Sequence, residues 1–277
     1  MLSELDDLDA RPGSTTSLVR TIVGLYLREM GGWISSPHLI SLMDTLGTTP
    51  QVTRTAISRL KKKGILDPQA RGGESGFALT ATGRGILARG DRRIFEPRSM
   101  ASDDNWCILS YSIPEAQRER RHQLRKYLQG IGGGLMAPGL WIFPDYLREE
   151  VWEILRVLDL KNQATVVVSN TLEFTGTPQS MAAIWWDLQS LDSLHRSFLA
   201  QNGKAANASK SSPADSFATY VRAIDSWRTI PYLDPGLPLS FLPEDWPGRA
   251  SSNLFLNIQS GHAAAARKYM ESLTKRH

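Results

Sequence analysis

The chain of 277 residues has a single cysteine, Cys107, so no internal disulfide framework can hold it together. It must instead bury a sizeable apolar core, and the lone thiol fits a reducing cytoplasm. No run of residues reaches the length and apolarity of a membrane span. The N-terminus also lacks the basic-then-apolar pattern of a secretory signal. Both absences point to the cytoplasm, with no membrane partner. The five histidines, His38, His122, His195, His262 and His277, show no metal-ligand spacing with one another or with Cys107, and each is expected on the surface or in packing. Cys107 falls inside a predicted strand, where a buried, inert thiol is the expectation. Gly132-Gly133-Gly134 has no following Lys-Ser/Thr pair, so it makes no phosphate cradle. No Ser-His-Asp arrangement is supported. The expectation is therefore a non-enzyme with no catalytic residue, no metal and no cofactor.

What the chain does contain is ordinary in bulk and unusual in one place. A hydrophobic share of 41% with 22% charged residues is that of a globular protein, and the length suits about two domains. The net charge is only +4, yet between Arg54 and Arg98 stand Arg54, Arg59, Lys61, Lys62, Lys63, Arg71, Arg84, Arg89, Arg92, Arg93 and Arg98. Against them are only Asp67, Glu74, Asp91 and Glu96. A local excess of this kind supplies the salt-dependent attraction to phosphates that nucleic-acid binding needs.

The stretch from Thr49 to Leu79 holds the start of that excess. Thr49 is placed to cap a helix, and Pro50 fits its first position. Val52, Ala56, Ile57 and Leu60 recur at helical spacing and predict the buried stripe. Gln51, Arg54, Thr55, Ser58, Lys61 and Lys62 lie largely off it. Gly64 ends the helix where a left-handed residue is wanted. Short β-prone segments then flank the turn-rich tip Arg71-Gly72-Gly73-Glu74-Ser75-Gly76. A short helix with a cationic outer face followed by a glycine-rich hairpin reads as a winged helix-turn-helix. The candidate DNA contacts are Thr49, Gln51, Arg54, Thr55, Ser58, Arg59, Lys61 and Lys62 on the helix, with Arg71 on the wing.

Taken in order, residues 1–13 carry acids and little to bury and read as a mobile tail. Residues 14–96 form the winged helix-turn-helix domain. Its helices start near Thr16, Ser36 and Thr49, its wing follows, and a closing helix is capped by Thr80. A polar linker leads to residues 104–176, where strand and helix signals alternate as βαββαβ. That order predicts a ferredoxin-like domain with helices on one face of an antiparallel sheet. Residues 177–277 read as a mainly helical C-terminal domain. In it one amphipathic helix spans Met181 to Ala200, a flexible loop spans Gln201 to Asp215, and further helices flank a proline-rich segment. The fold class is α+β.

These segments together resemble the PaaX family of bacterial transcriptional repressors. The resemblance is carried by Thr53-Arg54-Thr55-Ala56-Ile57-Ser58-Arg59-Leu60 with Gly64 and Leu79-Thr80-Ala81-Thr82-Gly83. It continues in Tyr111-Ser112-Ile113-Pro114, Arg118, Arg121, Leu124-Arg125 and Pro138-Gly139-Leu140-Trp141. It ends in Asp234-Pro235-Gly236-Leu237-Pro238 and Leu242-Pro243-Glu244-Asp245-Trp246-Pro247-Gly248. The resemblance implies a homodimeric repressor of an aromatic-compound catabolic operon, bound to double-stranded DNA at an inverted repeat. It further implies release by a small effector such as an aryl-coenzyme A thioester.

Such a ligand needs cations for its phosphates and an apolar pocket for its ring. Arg118, Arg121 and Arg125 could supply the cations, and Trp141, Trp227, Tyr232 and Trp246 the walls. The same residues also fit a solvated helix face and ordinary core aromatics. The middle domain is similar to Cas2, a ferredoxin-like nuclease that keeps a metal-binding aspartate after a tyrosine at the end of its first strand. This chain has Ser112 there, after Tyr111, and a hydroxyl is a poor ligand for hard cations. A metal-dependent nuclease is thus the alternative, and a coenzyme-A-ester-binding scaffold a third reading.

Overall fold

The computed structural model describes residues 11–204 and 212–274. Residues 1–10 of the expected tail and 205–211 of the expected loop lie outside them. Gly13, at the tail's end, donates its N–H to Asp225 Oδ2 at 2.6 Å. The described residues form a mixture of helices and two antiparallel sheets, and the chain divides into two compact units.

The first unit holds the residues up to Ile94, Phe198–Thr229, and the chain from Ala250 on. Helix α1 (Thr15–Ile22) is capped by the Ser14 hydroxyl and continues into one π-helical turn, Val23–Leu27. Residues Thr16 to Ile22 are all buried, polar ones included, because α1 is covered on two sides, by α3 and by α9. Strand β1 (Trp33–Ser35) leads into α2 (Ser36–Thr45), whose cap is Ser35. Then come α3 (Pro50–Lys62), the hairpin β2 (Leu66–Arg71) and β3 (Glu74–Leu79), and α4 (Ala81–Phe95). The small sheet has the order β1-β3-β2, all antiparallel. As expected, Thr80 caps α4, accepting from the Gly83 N–H at 2.8 Å. Gly64 follows α3 with φ +68°, the left-handed exit the sequence asked for.

The second unit holds Phe95–Ser197 and Ile230–Arg249. Strand β4 (Trp106–Tyr111), helix α5 (Arg118–Gly130), strands β5 (Gly134–Ala137) and β6 (Leu140–Pro144), helix α6 (Arg148–Val157) and strand β7 (Ala164–Ser169) follow in turn. The sheet order β5-β6-β4-β7 is the split βαβ arrangement expected of βαββαβ. Alternation sends Cys107, Leu109, Trp141 and Phe143 to one face, where the Phe143 ring and the Leu128 carbonyl leave room only for a glycine at Gly133. Cys107 is fully buried, and burial pushes its thiol up to about 12.

The opposite face is not open, which corrects the expectation of helices on one side only. Trp106 and Ile142 project there into an apolar cluster with Ala182, Trp185, Trp186, Leu237, Phe241 and Leu242. The proline-rich segment is therefore cladding for the sheet. Its backbone is fastened by the Met100 N–H donating to Gly236 O at 2.7 Å and by the Tyr146 hydroxyl donating to Pro235 O.

The helix expected over Met181 to Ala200 is two helices, α7 (Pro178–Trp185) and α8 (Leu188–Asn202). Trp186 between them is extended so that its indole reaches the cluster and donates to Gly132 O at 2.9 Å. Asp187 then caps α8 through the Ser190 N–H. Ile184 on α7 is exposed. Helix α8 runs to Asn202 and α9 (Pro213–Trp227) starts at Pro213, so both ends of the expected loop are helical. Helix α10 (Ile230–Leu233) and the long α11 (Gly248–Thr274) complete the chain.

Candidate nucleic-acid interface

Helix α3 carries four basic residues and no acidic one in Pro50–Lys62. Thr49 occupies the cap position with extended backbone, but its side chain makes no capping hydrogen bond, contrary to expectation. The turn is closed instead by Thr48, whose hydroxyl donates to Met43 O at 2.8 Å and lies 3.2 Å from the Thr53 hydroxyl. That contact helps explain a second correction. Thr53 is fully buried with Ala56, Ile57 and Leu60, whereas Val52, expected in this stripe, is 47% exposed. A small hydroxyl fits the crowded start of the helix because it has a polar partner there.

With that stripe facing inward, helical geometry sets the outward rows. Gln51, Thr55, Ser58 and Lys62, spaced i, i+4, i+7 and i+11, form the outermost one. Arg54 and Lys61 flank it on one side, Val52, Arg59 and Lys63 on the other. Gln51, Val52, Arg54, Thr55, Ser58, Arg59, Lys61 and Lys62 are all exposed, as is Thr49 at the cap. Among the described residues no ion pair ties up the side chains of Arg54, Lys61 or Lys62. Arg59 leans back, its Nη1 lying 3.5 Å from Thr16 Oγ1 on α1.

Arg71 is exposed on the hairpin rather than at its tip. The tip is Gly72-Gly73, with φ +57° and +83°, the turn geometry that matches strand twist. Arg71 Nε donates to Gln69 Oε1 at 3.1 Å, and its guanidinium lies 5.7 Å from the Trp33 ring centre. Trp33 is itself held by its indole N–H donating to Gln69 O at 2.9 Å. The wing cation is thus oriented by a stacked aromatic, a contact no local pattern announces.

Beneath α3 lies a platform of buried polar contacts that no motif in the sequence announces. Asp225 on α9 is almost fully buried and accepts from the hydroxyls of Ser17 and Thr21 on α1 and from the Gly13 N–H. Arg228, also buried, lies 3.5 Å from the same carboxylate and donates to Ser17 Oγ at 2.8 Å. Arg222 on α9 donates to Leu46 O at 3.1 Å, capping the end of α2, and Tyr269 on α11 meets Thr45 Oγ1 at 2.9 Å. The C-terminal helices therefore hold the helix pair that presents the cationic face. A polar residue every third or fourth place on α1 was the only sequence signal of this.

The residues considered for an effector are dispersed. Arg118 and Arg125 are exposed on α5, and Arg121 pairs with Glu115 at 2.7 Å. Trp141 is enclosed in the sheet core beside Phe143, and Trp246 meets the His195 ring edge-on at 5.6 Å. Tyr232 is half-buried on α10. Trp227 belongs to the other unit, stacked on Phe255 with its indole N–H on Ile94 O.

His195 is buried and pairs with Asp234 at 2.8 Å, while Ser112, at the end of β4, is exposed. Among the described residues no three His, Cys, Asp or Glu side chains gather to hold a metal ion. No helix among them is long and apolar enough to cross a membrane.

The chain is 26% identical over 272 residues to the transcriptional repressor PaaX of Escherichia coli strain K12, covering 94% of this chain and 84% of the relative. Its fold is similar to that of an uncharacterized protein from Mycobacterium tuberculosis, with a TM-score of 0.57 and 21% identity. That similarity covers 90% of this chain and 97% of the other. Residues 14–83 match the family model for a PaaX-like protein, residues 99–181 the PaaX central Cas2-like domain, and residues 186–272 the PaaX-like C-terminal domain. With three models of one family matched in order along nearly its whole length, the chain belongs to the PaaX family.

Proposed function

We propose that this PaaX-type repressor binds its operator through a winged helix-turn-helix in residues 14–96. In this reading α2 and α3 are the helix pair, α3 enters the major groove, and the β2–β3 hairpin lies along the backbone. The observation that carries the reading is the outer face of α3, cationic, free of acids and exposed from end to end above a buried stripe. Gln51, Arg54, Thr55 and Ser58 have the donors and acceptors to read base edges. Thr49, Arg59, Lys61, Lys62 and Arg71 have the chemistry for phosphates. The similarity to a transcriptional repressor supports a regulator rather than an enzyme.

The operator is an inverted repeat read by a homodimer. Its two recognition helices lie about 34–36 Å apart, or a multiple of that, in the cytoplasm. The controlled genes are an aromatic-compound catabolic operon, and an aryl-coenzyme A thioester releases the repressor. Release requires that the effector bind the DNA-free dimer geometry more tightly than the DNA-fitting one. The exposed guanidiniums of Arg118 and Arg125 suit the ligand's phosphates.

The test is a gel shift of the full chain on DNA upstream of its own and neighbouring genes, at two salt concentrations, with acyl-coenzyme A thioesters titrated in. Salt-sensitive, specific binding relieved by one thioester is the expected result. Absence of any salt-sensitive binding overturns the whole reading. Binding that no thioester relieves overturns only the effector assignment.

A further inference from the structure

Val52 stands outside the buried stripe of α3. It is the third residue after the cap Thr49, a position where Glu or Gln can complete a capping box, and valine can accept nothing there. As a β-branched residue it is a poorer helix former than alanine, which would cost less at an exposed site. Nor is it a core residue: it is 47% exposed, and Thr53 takes the place it was expected to fill. An apolar, stiff side chain therefore sits on the polar surface that faces outward from the first turn of α3, between Gln51 and Arg59.

We propose that Val52 contacts the 5-methyl group of a thymine in the major groove. The inference rests on the DNA-binding reading above and deepens it by assigning a base. The chemistry fits on three grounds. The thymine methyl is the one apolar feature of the major-groove edge, and it is read by apolar side chains. Recognition helices bring base edges to their N-terminal residues, and Val52 lies in the first turn. A β-branched side chain has little rotamer freedom to lose, so its two methyls are already set. Gln51, the adjacent residue, carries an amide that can pair with the adenine N6 and N7 edge. The start of α3 is thus suited to A·T pairs, while the cations further along suit guanine and phosphate.

The experiment uses the full chain and duplexes selected by it from a random pool. Each thymine of a selected site is replaced in turn by deoxyuridine, which lacks only the methyl group. One position per half-site should weaken the wild type about fourfold, the factor expected for one methyl taken out of water. Val52→Ala should bind the unmodified site about fourfold more weakly and show no further loss on deoxyuridine, with its unfolding midpoint not lowered. Lys62→Ala should keep the deoxyuridine penalty while weakening all duplexes alike. A Val52→Ala protein that retains wild-type affinity, or that retains the deoxyuridine penalty, overturns the assignment. A wild type that selects no duplex overturns the DNA-binding reading with it.

Discussion

Helices α3 and α5 have the same length and look alike in sequence, yet they make different surfaces. Their net charge is the same, α5 setting Arg118, Arg120, Arg121, Arg125 and Lys126 against Glu119. Helix α3 has four cations. The difference lies in what the cations meet. On α5, Arg121 pairs with Glu115 at 2.7 Å and Arg120 lies 3.7 Å from Asp159. On α3, Arg54, Lys61 and Lys62 face solvent with no acidic partner among the described residues. A phosphate competes poorly for a guanidinium that already holds a carboxylate. Unpaired charge, and not the number of charges, marks the surface suited to a polyanion.

That contrast can be broken at several depths. The largest effect is expected beneath α3. Asp225→Ala leaves Arg228 without its buried carboxylate and strips the acceptor from Ser17, Thr21 and Gly13. Unfolding in urea should show a loss of about 3–5 kcal/mol, and DNA binding should weaken with it. Next comes Arg54→Ala, which should cost about 1–3 kcal/mol of operator affinity in a gel shift with no change in the unfolding midpoint. Arg125→Ala on α5 should cost nothing in the same assay. Equal losses at the two positions would erase the distinction between the helices.

Smaller effects sharpen it. Lys61→Ala and Lys62→Ala should each lower the slope of log affinity against log salt by about 1, on specific and random duplexes alike. Arg120→Ala removes a solvent-exposed pair and should change stability by less than about 1 kcal/mol in thermal melts. The smallest effect is on Cys107, whose thiol burial pushes up to about 12 from an ordinary value near 9. Because the folded value is raised, its contribution to stability is complete below about pH 9 and is lost as pH climbs toward 12. A thiol reagent at pH 8 should therefore label the protein only after unfolding, and Cys107→Ala should flatten that alkaline limb.

Much of the molecule was legible beforehand. The limits of α3, the cap at Thr80, the left-handed exit at Gly64 and the βαββαβ order all follow from signals a few residues long. The candidate interface was legible too: every residue named for DNA is on the surface. The failures share one cause. Val52 and Thr53 are neighbours, and helical spacing alone cannot choose between a valine and a threonine whose hydroxyl has found Thr48. Trp186 breaks an otherwise continuous helical pattern because its indole has a destination at Gly132, far away in sequence. The proline-rich segment showed that it would be rigid and extended, but not that it would lie across a sheet.

By itself, then, the sequence determined the limits of α3, the wing that follows it, the βαββαβ order, and where cations gather. Propensity, capping and turn chemistry act over one or two helical turns, so they can be read along the chain. Only the tertiary structure decided which of two adjacent residues α3 buries, which arginines are already paired, and what lies under the cationic face. Those outcomes depend on partners such as Ser17 and Asp225, 208 residues apart. Only the folded chain brings them within hydrogen-bonding distance.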